Sequence, residues 1–182
     1  MSLLHSFYCW GHMGVVLLST AFFALFGIGH WKLLALLWAL VPVANAIFFA
    51  GAPLYPIRAE GDQALSLHAL VKSRVFWLFM LMMLCAGASE QAVSQWSSAF
   101  AEQGLGVSKG DLAGPMAFAA MMGVSRLIFG KYGEKLNLNR YMAACTALCI
   151  GAYLCIVFVP SSVLSLLGCA VCGFAVGIFW PG

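Results

Sequence analysis

Glu90 stands in the run Gly87-Ala-Ser-Glu-Gln-Ala-Val-Ser-Gln-Trp-Ser-Ser98, where it is the only acidic residue well inside any long apolar stretch. An ionised carboxylate away from water costs at least a few kcal/mol, so it needs a proton, a cationic or amide partner, or access to water. Each of these suits a group that takes up and releases protons. A carboxylate that only bonds neighbouring helices is the competing reading. At about 100° per residue, Glu90, Gln91, Ser94, Gln95, Ser97 and Ser98 share an arc of roughly 160° on a helix, a stripe suited to line a cavity or a polar interface.

Other residues carry hydrogen-bonding chemistry at helical spacing. His5, His12 and Ser19 recur every seventh position, with Tyr8 about one turn from each histidine, so His12 is a candidate partner of Glu90 in proton coupling. Asn45 follows Pro42, whose missing amide donor frees a carbonyl and loosens the helix there. Gln91, Gln95, Asn45 and Tyr8 can bond the hydroxyl groups of a neutral polyol, and Trp96 offers an aromatic face for its C–H surface. With Glu90 as a fixed carboxylate and no conspicuous interior cation, anionic cargo is disfavoured.

Several tempting motifs have plainer readings. Met80, Met82, Met83, Met116, Met121 and Met122 lack paired His or Cys at ligand spacing and read as core filling. Cys169 and Cys172 sit between Leu167 and Phe174 and read as small packing residues, so neither a metal nor a cofactor is expected. Gly168, Gly173 and Gly177 permit close helix approach. Ser89 could be the nucleophile of an intramembrane hydrolase, but all four histidines precede residue 69. No histidine follows it as a base, and no enzyme is expected.

The elements that position these residues follow from composition. Of 182 residues, 63% are hydrophobic and 8% charged, far below the roughly 25% charged of soluble domains, so lipid must be the main solvent. Apolar spans at 7–27, 31–50, 75–100, 114–130, 140–159 and 162–180 are each long enough to cross a bilayer. Continuous apolar runs without two-residue alternation favour helices over a closed barrel. The fold class is therefore all-α, a polytopic membrane bundle of six transmembrane helices. A net charge of +3 without any block of like charge gives no footprint for nucleic acid. The first run lacks a small-residue cleavage site after a short basic region and does not read as a signal peptide.

Arg58, Lys72 and Arg74 in one connection and Arg126, Lys131, Lys135 and Arg140 in another are expected on the cytoplasmic side, with Arg126 snorkelling to that surface as an anchor or pairing with a helix end. The opposite connections hold only Lys32 and Lys109, so both ends of the sequence are expected to be cytoplasmic. Segment 51–74, with Pro53, Pro56, Glu60, Gly61 and Asp62, separates two helices (1–50) from four (75–182). Within it, Leu65, Leu67, Leu70 and Val71 among Ser66, His68 and Lys72 read as a short surface helix or a solvated linker. Ser108, Asp111 and Pro115 resemble a cap and first turn.

Three stretches carry a resemblance: Leu4-His-Ser-Phe-Tyr-Cys-Trp-Gly11, Glu90-Gln91 through Trp96-Ser97-Ser98, and Gly123-Val-Ser-Arg-Leu-Ile-Phe-Gly-Lys-Tyr-Gly133. They resemble major facilitator superfamily transporters, in particular their fucose-permease-like bacterial branch, and Gly173 through Gly182 resembles that family's tenth helix. The resemblance covers essentially the whole chain. It implies that the six spans correspond to helices five to ten of twelve, with 51–74 as the cytoplasmic loop between two six-helix halves. Lys131, Gly133 and Lys135 fit basic, glycine and basic positions of the family's cytoplasmic gating motif. Gly130 stands at its acidic position and Arg126 where its leading glycine belongs.

What the resemblance implies is a plasma-membrane secondary transporter, a proton-coupled symporter or a facilitator, working by alternating access on a small polar solute, most simply a sugar. Its partners are the lipid bilayer, the solute, a proton, and the remaining helices of its own fold, which complete the site. An exporter of lipophilic compounds in the same fold is the main alternative; a non-transporting scaffold is a further one.

Overall fold

The structure is a computed structural model and describes residues 2–53, 66–107 and 113–180. It is all-helical, with no strand among the described residues. Helices α1 (Ser2–Phe26), α2 (Trp31–Gly51), α3 (Leu67–Lys72), α4 (Arg74–Leu105), α5 (Ala113–Tyr132), α6 (Leu138–Phe158) and α7 (Ser162–Val176) follow in order. Single 3-10 turns at Ile28–His30 and Gly133–Lys135 join α1 to α2 and α5 to α6. Among the described residues, five helical segments are long and apolar enough to cross a membrane, namely Leu4–Phe26, Ile28–Gly51, Arg74–Leu105, Ala113–Lys135 and Leu138–Phe158. The sixth expected span is shorter than read from the sequence: α7 is 15 residues and ends at Val176, where the chain tightens into a turn with Phe179 N–H bonded to the Val176 carbonyl.

Local chemistry sets the helix ends. α4 runs five residues past the apolar stretch and stops at Gly106, which takes φ +67° while Val107 N–H closes back onto the Ala101 carbonyl at 3.1 Å. That bond across six residues, closed over a left-handed glycine, is a glycine-dependent helix stop. Ser66 caps α3 by accepting from Ala69 N–H at 3.2 Å, so the short helix expected in this connection forms at Leu67–Lys72. The cap proposed at Ser108 and Asp111 lies outside the described residues; Pro115 is in the first turn of α5, where a missing N–H costs nothing. Asn137 caps α6 by accepting from Arg140 N–H at 3.1 Å. Asn137→Ala should lower stability by about 1 kcal/mol in a reversible unfolding titration in detergent, with no change in helix content by circular dichroism.

The chain divides into two compact units, one of residues 1–20 with 81–182 and one of 21–80. In the second, α2 continues through Pro42, and Trp77 Nε1 donates to the Val71 carbonyl at 2.8 Å beside the junction of α3 and α4. In the first unit, α7 packs backbone-close on α5 and α6. Periodicity explains the seam: α5 buries Phe118, Ala119, Met122, Gly123, Ser125 and Arg126, α6 buries Cys145, Cys149, Ala152 and Ile156, and α7 buries Ser165, Gly168, Cys169, Cys172, Gly173 and Val176.

Glycine makes the α5–α7 approach possible. A Cβ on Gly173 would stand 2.1 Å from the Phe118 carbonyl oxygen, and one on Gly177 2.8 Å from Ser125 Cβ. Cys149 and Cys172 lie 4.0 Å apart, sulfur to sulfur, inside this core. The methionines divide: Met122 is fully buried, whereas Met80, Met82 and Met83 on α4 are about half exposed and do not fill this core as expected.

Candidate functional site

α4 buries a single narrow row, Ala86, Glu90, Val93 and Ser97, spaced four, three and four residues apart. A carboxylate therefore occupies the packing seam itself, with 4% of Glu90 exposed. Its counter-charge comes from α5. Arg126 is 2% exposed, and its Nη2 lies 3.7 Å from Glu90 Oε2. The rest of the guanidinium is also occupied: Nε donates to the Gly177 carbonyl at 3.1 Å, and Nη1 to the His5 carbonyl at 2.9 Å and to Cys9 Sγ at 3.1 Å. A planar fork of five donors suits such convergence, which a lysine ammonium could not reproduce.

Of the two expectations for Arg126, its burial corrects snorkelling into water, whereas the Nε bond to the Gly177 carbonyl at the end of α7 is the expected pairing with a helix end. The side chain finds its partners inside: a carboxylate and two carbonyls replace the water that snorkelling would have supplied. The statement that the interior holds no conspicuous cation is overturned with it. The signal was present, because Arg126 lies within the apolar span between Val124-Ser125 and Leu127-Ile128 rather than among the basic residues after it.

Trp180 completes the first ring of contacts and is the residue sequence reasoning missed. Its Nε1 donates to Glu90 Oε2 at 2.7 Å. Nothing in its flanking residues points to that role, because the turn after Val176 that delivers it is not encoded by apolar periodicity. Tyr153 on α6 steadies the adjacent backbone by donating its hydroxyl to the Ser89 carbonyl at 2.7 Å.

The other candidates fall into distinct places. Tyr8 is 52% exposed, places its ring centre 5.7 Å from the Arg126 guanidinium carbon, and lies beside the Gln91 side chain. Gln95 Nε2 in turn donates to Gln91 Oε1 at 2.7 Å, and both glutamines are exposed. Tyr8, Gln91 and Gln95 thus form a continuous polar patch beside the buried ion pair. His12 is half-buried and meets this group through the edge of the Tyr8 ring, 6.3 Å between centroids. Trp96 is 67% exposed and lies about 120° around α4 from Glu90, away from the Gln91 and Gln95 with which it was expected to hold the solute. Asn45 is exposed on α2 in the other compact unit.

The residues of the expected cytoplasmic motif sit at the end of α5 and in the turn after it. Lys131 is exposed with its ammonium 5.4 Å from the Tyr132 ring centre, Lys135 is exposed, and Gly133 lies against the Phe129 ring. Arg126 stands apart from them, within the α4–α5–α7 packing.

An all-helical chain whose helices are long and apolar enough to cross a bilayer, with a neutralised charge pair between them, defines a polytopic membrane protein. The model of the Major Facilitator Superfamily matches residues 1–182, and the chain belongs to that superfamily. It is therefore a multi-pass membrane protein of a transporter family whose members are generally not enzymes. Comparisons with curated proteins and with solved structures return no match.

Proposed function

We propose that the chain forms part of a proton-coupled secondary transporter of a small neutral polar solute, with Glu90 as the carboxylate that takes up the proton and Arg126 as its fixed counter-ion. The observation that carries this reading is the buried Glu90–Arg126 pair directly beside the exposed Tyr8–Gln91–Gln95 patch. A carboxylate needs its charge compensated when deprotonated inside a bundle, and an adjacent guanidinium supplies that without solvent. Protonation removes the attraction, so the pair has two electrostatic states that can be linked to two conformations.

Neutral cargo is favoured on a different ground from the one the sequence offered. Arg126 is an interior cation, but ionised Glu90 cancels it, and in that state the pair leaves no net charge to attract an anion. The patch beside it presents amide and phenol groups, which bond sugar hydroxyls well. Fucose-permease-like sugar transport is the specific form of this proposal, with the Trp96 ring and Asn45 as further contacts in the assembled fold and His12 as an accessory proton group. Six basic residues, Arg58, Lys72, Arg74, Lys131, Lys135 and Arg140, support a cytoplasmic position of their connections at the plasma membrane, against Lys32 and Lys109 opposite. Residues 51–74 then form the cytoplasmic loop between two half-bundles, and Lys131, Gly133 and Lys135 the gating corner at the end of α5.

Glu90→Gln tests the coupling. The amide keeps the shape and cannot release a proton, so proton-driven accumulation should vanish while solute exchange stays measurable in vesicles. Undiminished accumulation would retire the reading. Competition of uptake by a panel of sugars, organic anions and hydrophobic cations identifies the cargo: sugars should compete, and competition by hydrophobic cations alone would instead favour a lipophile exporter.

A further inference from the structure

Both donors to Glu90 reach the same oxygen. Oε2 accepts from Trp180 Nε1 at 2.7 Å and faces Arg126 Nη2 at 3.7 Å. The segment that carries Trp180 also holds the cation, because the Gly177 carbonyl accepts from Arg126 Nε at 3.1 Å. Residues 177–180 therefore grip the anion with a donor and the cation with an acceptor. Their seat is rigid: Ile178 is fully buried, and Gly177 is pressed against Ser125 and the Met122 carbonyl. The indole ring lies over Gly87, where a Cβ would stand 3.6 Å from Trp180 Cζ2, so the ring rests one turn before the carboxylate it binds.

An indole N–H donates, never accepts, and keeps its proton. Oε2 already accepts the indole hydrogen bond and faces the guanidinium cation, so Oε1 is the oxygen better placed for an arriving proton. Once it is there, the attraction to Arg126 lapses, while Oε2 becomes a carbonyl oxygen that the indole can still bond. The groups facing Glu90 are Arg126 from α5, Tyr8 and Cys9 from α1, and Trp180 after α7; α6 contributes Tyr153 through the Ser89 carbonyl.

We propose that Trp180 is the positioning residue of the coupling site: its N–H holds Oε2 of Glu90 in both protonation states, reserves Oε1 for proton exchange, and ties the end of α7 to the charge state of the pair. This rests on the reading of Glu90 as the coupling carboxylate. Trp180 itself neither carries the proton nor needs to touch the solute.

The test uses the protein in lipid vesicles with two replacements of Trp180. Trp180→Phe keeps an aromatic ring without the N–H, and site-specific incorporation of benzothienylalanine keeps the full indole shape with sulfur in place of N–H. Infrared spectroscopy reads the bond directly, the protonated Glu90 carbonyl band being the one that disappears in Glu90→Gln. Losing a donor should move that band to higher wavenumber in both replacements. The ratio of proton-driven accumulation to solute exchange should fall about tenfold, the factor a single donor to a charged group supports. An unmoved band, or accumulation and exchange declining in parallel, would overturn the proposal. If Glu90→Gln uncouples and the Trp180 replacements do not, the proposal alone fails; if Glu90→Gln stays coupled, the reading beneath it fails too.

Discussion

Arg126→Met should destabilise the protein by about 3–5 kcal/mol and abolish transport, because it leaves the Glu90 carboxylate buried in the α4 seam without its counter-charge. Methionine matches the length of the aliphatic stem, so packing around Phe118 and Met122 is little disturbed and the loss is electrostatic. The second half of the prediction separates the two effects. Adding Glu90→Gln to Arg126→Met removes the stranded charge and should recover most of the stability. Recovery stays incomplete, since the carbonyls of His5 and Gly177 have still lost their donors. Transport coupling should not return, because neither variant residue can exchange a proton. Chemical unfolding in detergent beside vesicle uptake measures both, and a double variant as unstable as Arg126→Met alone would show that the pair is not an electrostatic unit.

Gly173→Ala should be more damaging than its single methyl suggests, with a loss above about 3 kcal/mol and separation of α7 from α5. The added Cβ would meet the Phe118 carbonyl oxygen at 2.1 Å and its carbon at 2.8 Å, and backbone atoms cannot rotate away as a side chain can. Two other glycines calibrate the expectation. Gly168→Ala presses on Ile156 Cγ1 at 2.7 Å, a side chain free to choose another rotamer, and should cost less. Gly151→Ala on α6 meets nothing within 4 Å and should stabilise by up to about 1 kcal/mol through helix propensity. Equal stability of the variants at 173 and 151 would refute the close-contact account. An ordered series, measured by thermal unfolding, would support it.

The helices were legible in the sequence because lipid exposure leaves a long apolar run, and the runs at 31–50 and 140–159 differ from α2 and α6 by a residue or two. Glycine signals were legible as well: the Gly173 and Gly177 spacing does mark the α5–α7 contact. What apolar composition does not encode is where a helix stops inside the bundle. The run to residue 180 hides the turn after Val176, and with it the hydrogen bond from Trp180. Glu90 was identifiable because a carboxylate among apolar residues demands an explanation. Arg126 presents the same anomaly, but its nearness to Lys131 and Lys135 disguised it as one more surface cation. The pairing itself is tertiary, made between residues 36 positions apart, and periodicity on either helix says only which face each occupies.

The way α4 is attached has a mechanical consequence. α7 is joined to α5 by main-chain atoms that touch where glycine leaves no side chain, whereas α4 meets its neighbours through side chains, the outstretched tips of Arg126, Trp180 and Tyr153 beside buried Val93 and Ser97. Sliding the first pair would drive backbone into backbone. Parting α4 from its neighbours separates side chains only, the polar tips together with buried Val93 and Ser97. One bundle thus combines a stiff post with a hinged panel.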